Sequence, residues 1–359
     1  MTGRDVVILG AARTPIGKYG GAFKDVHAAE LGAVAARAAV ARAGLQPTDV
    51  DEVLMGHGRP AGVGPNPARQ VAHRTGVPHT APAYTINKAC AGGMQALASG
   101  AQSIMLGESE IVLAGGIENM TRVPYLVDAA DARWGHKMAH FQFVDAMYRD
   151  GFADPLSGLI MGETAEVLAR QYGITRAQSD RVALESQHKA EAAQKAGHFE
   201  REIAPVTITE KGKTIEISSD EHARHGSTIE ALGKLPLTFP TVEGHDGIIT
   251  AGSASGITDG AAAIVLASGD VARAGTEASG AHCRVGERRC RSADHGHRSR
   301  AGDGQARAAH RLAHRRLRSR RDQRGLCAAD AGGAAGCAHP DGPGECERRR
   351  HCTGPSDRL

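Results

Sequence analysis

Aromatic residues are scarce in this chain, at 3% of 359 residues, and none follows Phe239; no isoleucine follows Ile264. Residues 275–359 hold no lysine, but 18 arginines and 10 acidic residues, whereas the rest holds 25 basic and 30 acidic residues. The net charge of +3 therefore hides a split between a basic tail and an acidic body. So little apolar surface in the tail leaves nothing to offset the entropy of ordering it, and no amphipathic period is sustained there. Long apolar runs are also missing. None approaches the roughly 20 residues that cross a bilayer, and the start lacks a basic-then-apolar secretory signal. The expectation is a soluble cytoplasmic protein, in which disulfides are not expected. Cysteine is almost absent from the body: six of the seven lie beyond residue 280. They lack the close paired spacing of zinc modules. The arginines between 311 and 324 have no interleaved aromatics and no recognisable nucleic-acid module.

That leaves Cys90 alone in the body, and its surroundings are informative. Residues 83–86 form a short apolar run that reads as a strand and ends at Asn87-Lys88-Ala89. Behind Cys90, Met94, Leu97, Ala101, Ile104 and Met105 recur at helical spacing. Cys90 thus stands where a strand hands over to a helix, whose first N–H groups and dipole favour a thiolate. Gly92 and Gly93 leave room for a ligand to approach the sulfur. A nucleophile and a buried structural cysteine are both consistent with this local pattern.

Around this stretch, strand and helix alternate. Residues 6–10, 50–56 and 110–116 read as buried strands, and 28–43 as an alanine-rich helix with Gly44 beyond its end. Asn66-Pro67 opens another helix. This rhythm predicts a mostly parallel sheet with helices on both faces. It breaks near residue 120. About 120 residues follow, with helices at 162–171 and 176–196 and polar strands within 206–217, before a Gly/Ser-rich loop (251–261) leads into an apolar strand. That loop is either a plain turn or a place where backbone N–H groups meet a ligand.

Several stretches together resemble the thiolases. They are Arg13-Thr14-Pro15-Ile16-Gly17, Val50-Asp51-Glu52-Val53, Gly64-Pro65-Asn66-Pro67-Ala68-Arg69-Gln70, Asn87-Lys88-Ala89-Cys90 and Gly115-Gly116-Ile117-Glu118-Asn119-Met120. Met161-Gly162-Glu163-Thr164-Ala165-Glu166, Asp220-Glu221-His222 with Arg224-His225-Gly226, and the 251–261 loop extend the likeness. It is collinear from about residue 5 to 274 and strongest toward acetyl-CoA acetyltransferases and 3-ketoacyl-CoA thiolases. The resemblance implies an α/β fold layered α/β/α/β/α, with two similar halves and an inserted loop domain. The corresponding division is 1–120 plus 247–274 for the first half, 121–246 for a CoA-binding insertion, and 275–359 for an aberrant tail. It further implies that Cys90 accepts the acyl group and that its N–H helps form an oxyanion hole. Arg224, Ser255 and Gly256 would hold coenzyme A, and Met161 would line the substrate pocket. Acetyl-CoA or CoA is implied as substrate, with no permanently bound cofactor or metal, and a homo-oligomer (dimer or tetramer) as the assembly. Gly92, Ile160 and Ser253 depart from the usual Ser, His and Asn, which bears on acyl-chain preference.

The family's later motifs, Asn-Glu-Ala-Phe-Ala, Gly-His-Pro and Cys-x-Gly, are missing from this sequence. A reading-frame slip near Ala274 or Gly275 is one explanation. Codons for Asp322-Gln323-Arg324-Gly325-Leu326-Cys327 can be chosen so that a one-nucleotide shift spells Ile-Asn-Glu-Ala-Phe-Ala. With codons likewise chosen, the same shift can spell Ile-Ala-Leu-Gly-His-Pro-Ile from residues 351–357. Coding DNA that cannot spell those motifs in the shifted frame removes the hypothesis. The implied activity is a thiolase-type acyl transfer on short-chain 3-ketoacyl-CoA, impaired in this chain. The alternatives are an inactive CoA-binding or subunit-interaction remnant, and a ketoacyl synthase-like condensing enzyme, which the insertion disfavours.

Overall fold

The computed structural model describes residues 4–278 apart from 136 and 139; the readings of the tail lie outside the described residues, as do those of a second half. The chain opens with β1 (Val6–Arg13) and the short β2 (Gly17–Lys18), then α1 (Ala28–Arg42), β3 (Glu52–Gly56), α2 (Pro67–Thr75), β4 (Ala83–Ile86), α3 (Gly92–Leu106) and β5 (Ile111–Asn119). After β5 come β6 (Tyr125–Leu126), α4 (Ala129–Trp134), β7 (Val144–Asp145), α5 (Met161–Tyr172) and α6 (Arg176–Lys195). The hairpin β8 (Val206–Glu210) and β9 (Lys213–Ile217), α7 (Ile229–Gly233), β10 (Thr241–Val242) and β11 (His245–Asp246) precede β12 (Thr258–Ser268) and α8 (Gly269–Ala278).

The main sheet has the order β1-β12-β5-β3-β4, with β2 also on β12. Strands β3, β4 and β5 are parallel to one another, and β1 runs with them. Strand β12 is antiparallel to both of its long neighbours, so the sheet is mixed. Its direction follows from its history: the chain leaves the sheet at the end of β5 and re-enters beside it at the same edge. None of the strands between β5 and β12 joins this sheet; they pair among themselves in two-stranded units.

One face of the sheet is packed by α1 and α2, the other by α3. Helix α1 is capped by His27, whose Nδ1 accepts from Ala29 N, and buries Leu31, Ala35, Ala39 and Val40. Asn66 caps α2 by accepting from Arg69 N, Pro67 occupies the first position, and Gly76 closes the helix in a left-handed conformation. Helix α3 carries the expected apolar positions only partly inward: Ile104 is buried, and Leu97 and Ala101 pack against the same cluster. Met94 and Met105 are 73% and 44% exposed, whereas Gly92, Ala96, Gly100, Ser103 and Ile104 are buried. The backbone approaches strands β3 and β5 so closely that small residues take the inner face. A Cβ on Gly56 would lie 2.2 Å from the carbonyl carbon of Gly92. Helical spacing found the helix, and the close approach decided its buried side.

Candidate active site

Cys90, the Asp220-Glu221-His222 stretch and the loop leading into β12 attach to one edge of the sheet, where the parallel strands end and β12 begins. In parallel α/β sheets this carboxyl edge is where ligands bind. Cys90 follows β4 at this edge and is exposed and unbridged. The turn that presents it is tight: Ala89 takes φ +47°, an uncommon conformation for a residue with a Cβ. Asn87 Oδ1 accepts from Ala89 N at 3.0 Å, and the turn closes with Ala91 N donating to Lys88 O and Gly92 N to Ala89 O. Helix α3 then begins with no side-chain cap. The exposed sulfur thus stands beside a helix start that no side chain occupies.

The Asp220-Glu221-His222 motif explains itself in the structure. Arg13, at the end of β1, donates through Nη1 and Nη2 to the Asp220 carboxylate at 2.7 and 3.0 Å and through Nε to Glu202. Burial disfavours the Arg13 charge, but the hydrogen bonds to Asp220 and Glu202 outweigh it and push the pKa above its ordinary value. Glu221 accepts from the N–H groups of Lys18 and Ala22. With those two carboxylates fixed to the sheet edge, His222 lies against Gly256: a Cβ on that glycine would come within 1.8 Å of the imidazole Cε1. Ser255 and Gly256 are therefore brought to the loop that carries Arg224. Both Ser255 and Arg224 are exposed. Among the described residues the Arg224 side chain has no partner, while its N–H is held by Gln187 Oε1 at 2.8 Å.

Helix α6 holds that loop through Gln187, His188, Glu191 and Gln194. Glu191 accepts from Gly226 N at 2.9 Å, and its bond from Lys195, with Gly226 second, lowers its pKa to about 2. The folded value lies below the unfolded one, so this contribution is complete above about pH 4.5 and is lost as pH falls toward 2. The Lys195 side chain is 69% exposed, so the effect is modest. Melting temperatures of the wild type and Glu191→Gln are expected to differ at pH 6 and to converge at pH 2; a constant gap would exclude this role for Glu191.

Met161, 52% exposed, is the first residue of α5. Five residues on, the buried Glu166 carboxylate accepts from the N–H groups of Ile248 and Ile249. This ties α5 to the loop leading to Ser255. Where β12 starts, Asp259 accepts from Thr121 N and Oγ1, and burial pushes its carboxyl up from the ordinary value. No hydrogen bond or ion pair joins Cys90 to Met161, Arg224 or Ser255 among the described residues.

One cluster beneath Cys90 was not foreseen from the sequence. His57 and Arg59, just past β3, are buried, and Glu118 of β5 faces them. Nothing in Gly56-His57-Gly58-Arg59 marks these side chains. Only the pairing of β3 with β5 sets them beside Glu118. Among the described residues no group of His, Cys, Asp and Glu could hold a metal, and no helix is long and apolar enough to cross a membrane.

The thiolase N-terminal domain family matches residues 6–270. A probable acetyl-CoA acyltransferase of Staphylococcus aureus (strain N315) is 46% identical over 269 residues, covering 75% of this chain and 67% of that protein. The Bacillus anthracis acetyl-CoA acetyltransferase structure aligns with a TM-score of 0.72 at 42% identity, covering 76% of this chain and 67% of that one. Human mitochondrial 3-ketoacyl-CoA thiolase in complex with CoA aligns with a TM-score of 0.70 at 40% identity, over 76% of this chain and 67% of its own. The chain thus matches about two thirds of the length of these relatives.

Proposed function

The chain belongs to the thiolase family of acyltransferases, and from that premise we propose that Cys90 is the acyl-accepting nucleophile for short-chain 3-ketoacyl-CoA. The observation that carries this reading is the exposed Cys90 sulfur beside a strained turn and an uncapped helix start. In the cleavage direction the Cys90 thiolate bonds to the keto carbon, and the bond between the α- and keto carbons breaks. Its electron pair leaves on the enolate of acetyl-CoA, which takes a proton. A CoA thiolate then displaces the acyl group from Cys90. Helix N-terminal N–H groups at the turn would stabilise the oxyanion in each addition. Met161 lines the acyl pocket, Arg224 meets the nucleotide phosphates, and Ser255 with Gly256 lies along the pantetheine arm.

The motifs that would supply the enolate's proton and the base for CoA are missing from the sequence. The first half-reaction with acetyl-CoA is therefore expected to proceed slowly, while full turnover is impaired. We place the protein in the cytoplasm, in short-chain acyl-CoA metabolism, as a homo-oligomer. Incubation with acetyl-CoA followed by peptide mass spectrometry tests the proposal: the acetyl group belongs on Cys90. CoA binding without acetylation would instead favour a non-catalytic remnant. A second measurement reads the CoA loop. Arg224→Ala is expected to raise the acetyl-CoA concentration for half-maximal acylation about fivefold, on the order of 1 kcal/mol for an exposed charge-assisted contact. The rate at saturation should be unchanged; a change in that rate alone would remove Arg224 from binding.

A further inference from the structure

Glu118 lies on β5, two strands across the sheet from β4, yet a continuous set of hydrogen bonds leads from it to Ala89, the residue ahead of Cys90. Its Oε2 accepts from Gly58 N at 2.9 Å and its Oε1 from Arg59 N at 3.2 Å. The carbonyl oxygen of Gly58 accepts from Asn87 Nδ2 at 3.5 Å, and Asn87 Oδ1 accepts from Ala89 N at 3.0 Å. Packing supports the same path: a Cβ on Gly58 would be 3.0 Å from Glu118 Oε2 and 3.6 Å from the carbonyl of Ala89. His57 is buried, with Nε2 3.1 Å from Glu118 Oε1 but out of line for a hydrogen bond, so among the described residues neither ring nitrogen makes a hydrogen bond. A buried, unsatisfied imidazole is costly and persists where the surrounding structure over-determines it. Arg59 extends the cluster, donating through Nη2 to Gly151 O at 2.9 Å.

Resting on Cys90 as the nucleophile, we propose that Glu118 is a positioning residue: it fixes the 57–59 peptide, which through Asn87 holds Ala89 at φ +47° and so aims the Cys90 sulfur. In Glu118→Gln, one of the two N–H groups would face an amide NH2 instead of an oxygen. In Asn87→Asp, the donor to Gly58 is lost while the acceptor for Ala89 remains. Each substitution is expected to slow acetylation of Cys90 by acetyl-CoA, and its alkylation by iodoacetamide, by roughly 10- to 100-fold through misplacement. Both act on one path, so the double variant should be no slower than the slower single variant. Melting temperatures are recorded alongside, and the alkylation pH profile of Cys90 should change in shape in each variant. Multiplying effects in the double variant, or rates within twofold of wild type in a folded Glu118→Gln, would overturn the proposal. Should Glu118→Gln not fold, Asn87→Asp, on the exposed side of the path, is compared with wild type by the same two thresholds. Alkylation keeps the two readings distinct: a wild type that alkylates but never acetylates sinks the nucleophile, and Glu118 is still judged by the alkylation rates.

Discussion

Cys90→Ala is expected to abolish acyl-enzyme formation, with a loss on the order of 10⁴-fold or more in the acylation rate and no change in fold. No other described residue is a cysteine. The side chain is exposed, so removing its sulfur takes away little packing. Cys90→Ser should be nearly as inactive, because a hydroxyl is a weak nucleophile without an adjacent base. The six cysteines beyond residue 280 require the label to be located by peptide mapping and not by intact mass alone. Wild-type protein should carry acetyl on the peptide containing Cys90, and Cys90→Ala should carry none at the same exposure. A label persisting at the wild-type rate on another residue would sink the assignment.

The elements that build the site differ in how openly the sequence states them. Strand β4, Cys90 and α3 were legible because a short apolar run, a turn and a helical period follow one another within 24 residues. The 206–217 strands and helices α5 and α6 were legible for the same local reason. The inner face of α3 was legible only in part: Leu97, Ala101 and Ile104 pack inward, but Met94 and Met105 do not, because Gly56 and Gly116 on the strands bring the backbone against Gly92 and Gly93 and leave room there only for small residues. The antiparallel placement of β12 between β1 and β5 was also hidden, since its direction depends on where the intervening chain returns. Arg224, Ser255 and Gly256 lie some 30 residues apart in sequence, and what joins them is the ring of His222 on Gly256. Glu118 with His57 and Arg59 has no local signature. It exists only once two parallel strands are in register.

That same close approach makes Gly56 the residue on which nucleophile geometry and stability depend together. Its position is the last in β3, facing the first turn of α3. A Cβ there would meet the carbonyl carbon of Gly92 and the nitrogen of Gly93 at 2.2 Å, and the Gly92 oxygen at 2.6 Å. These are backbone atoms, which cannot rotate away. Gly56→Ala must therefore lift the start of α3 by on the order of 1 Å, where ordinary contacts resume. Lifting the helix loosens Ala96 and Ile104 from Leu54, Val112, Ala114 and Leu266, the smaller core cluster. Overpacking of this kind costs about 3 kcal/mol, which lowers the melting temperature by roughly 6–12 °C. Because Cys90 stands directly ahead of the displaced turn, its acetylation should fall about 100-fold as well. Gly93→Ala is the matched comparison: its Cβ would meet Gly115 O at an ordinary 3.6 Å, so stability should hold or rise by up to about 1 kcal/mol. If the two variants melt and acetylate alike, the contact between β3 and the head of α3 does not govern the nucleophile, and the geometric account of Cys90 fails with it.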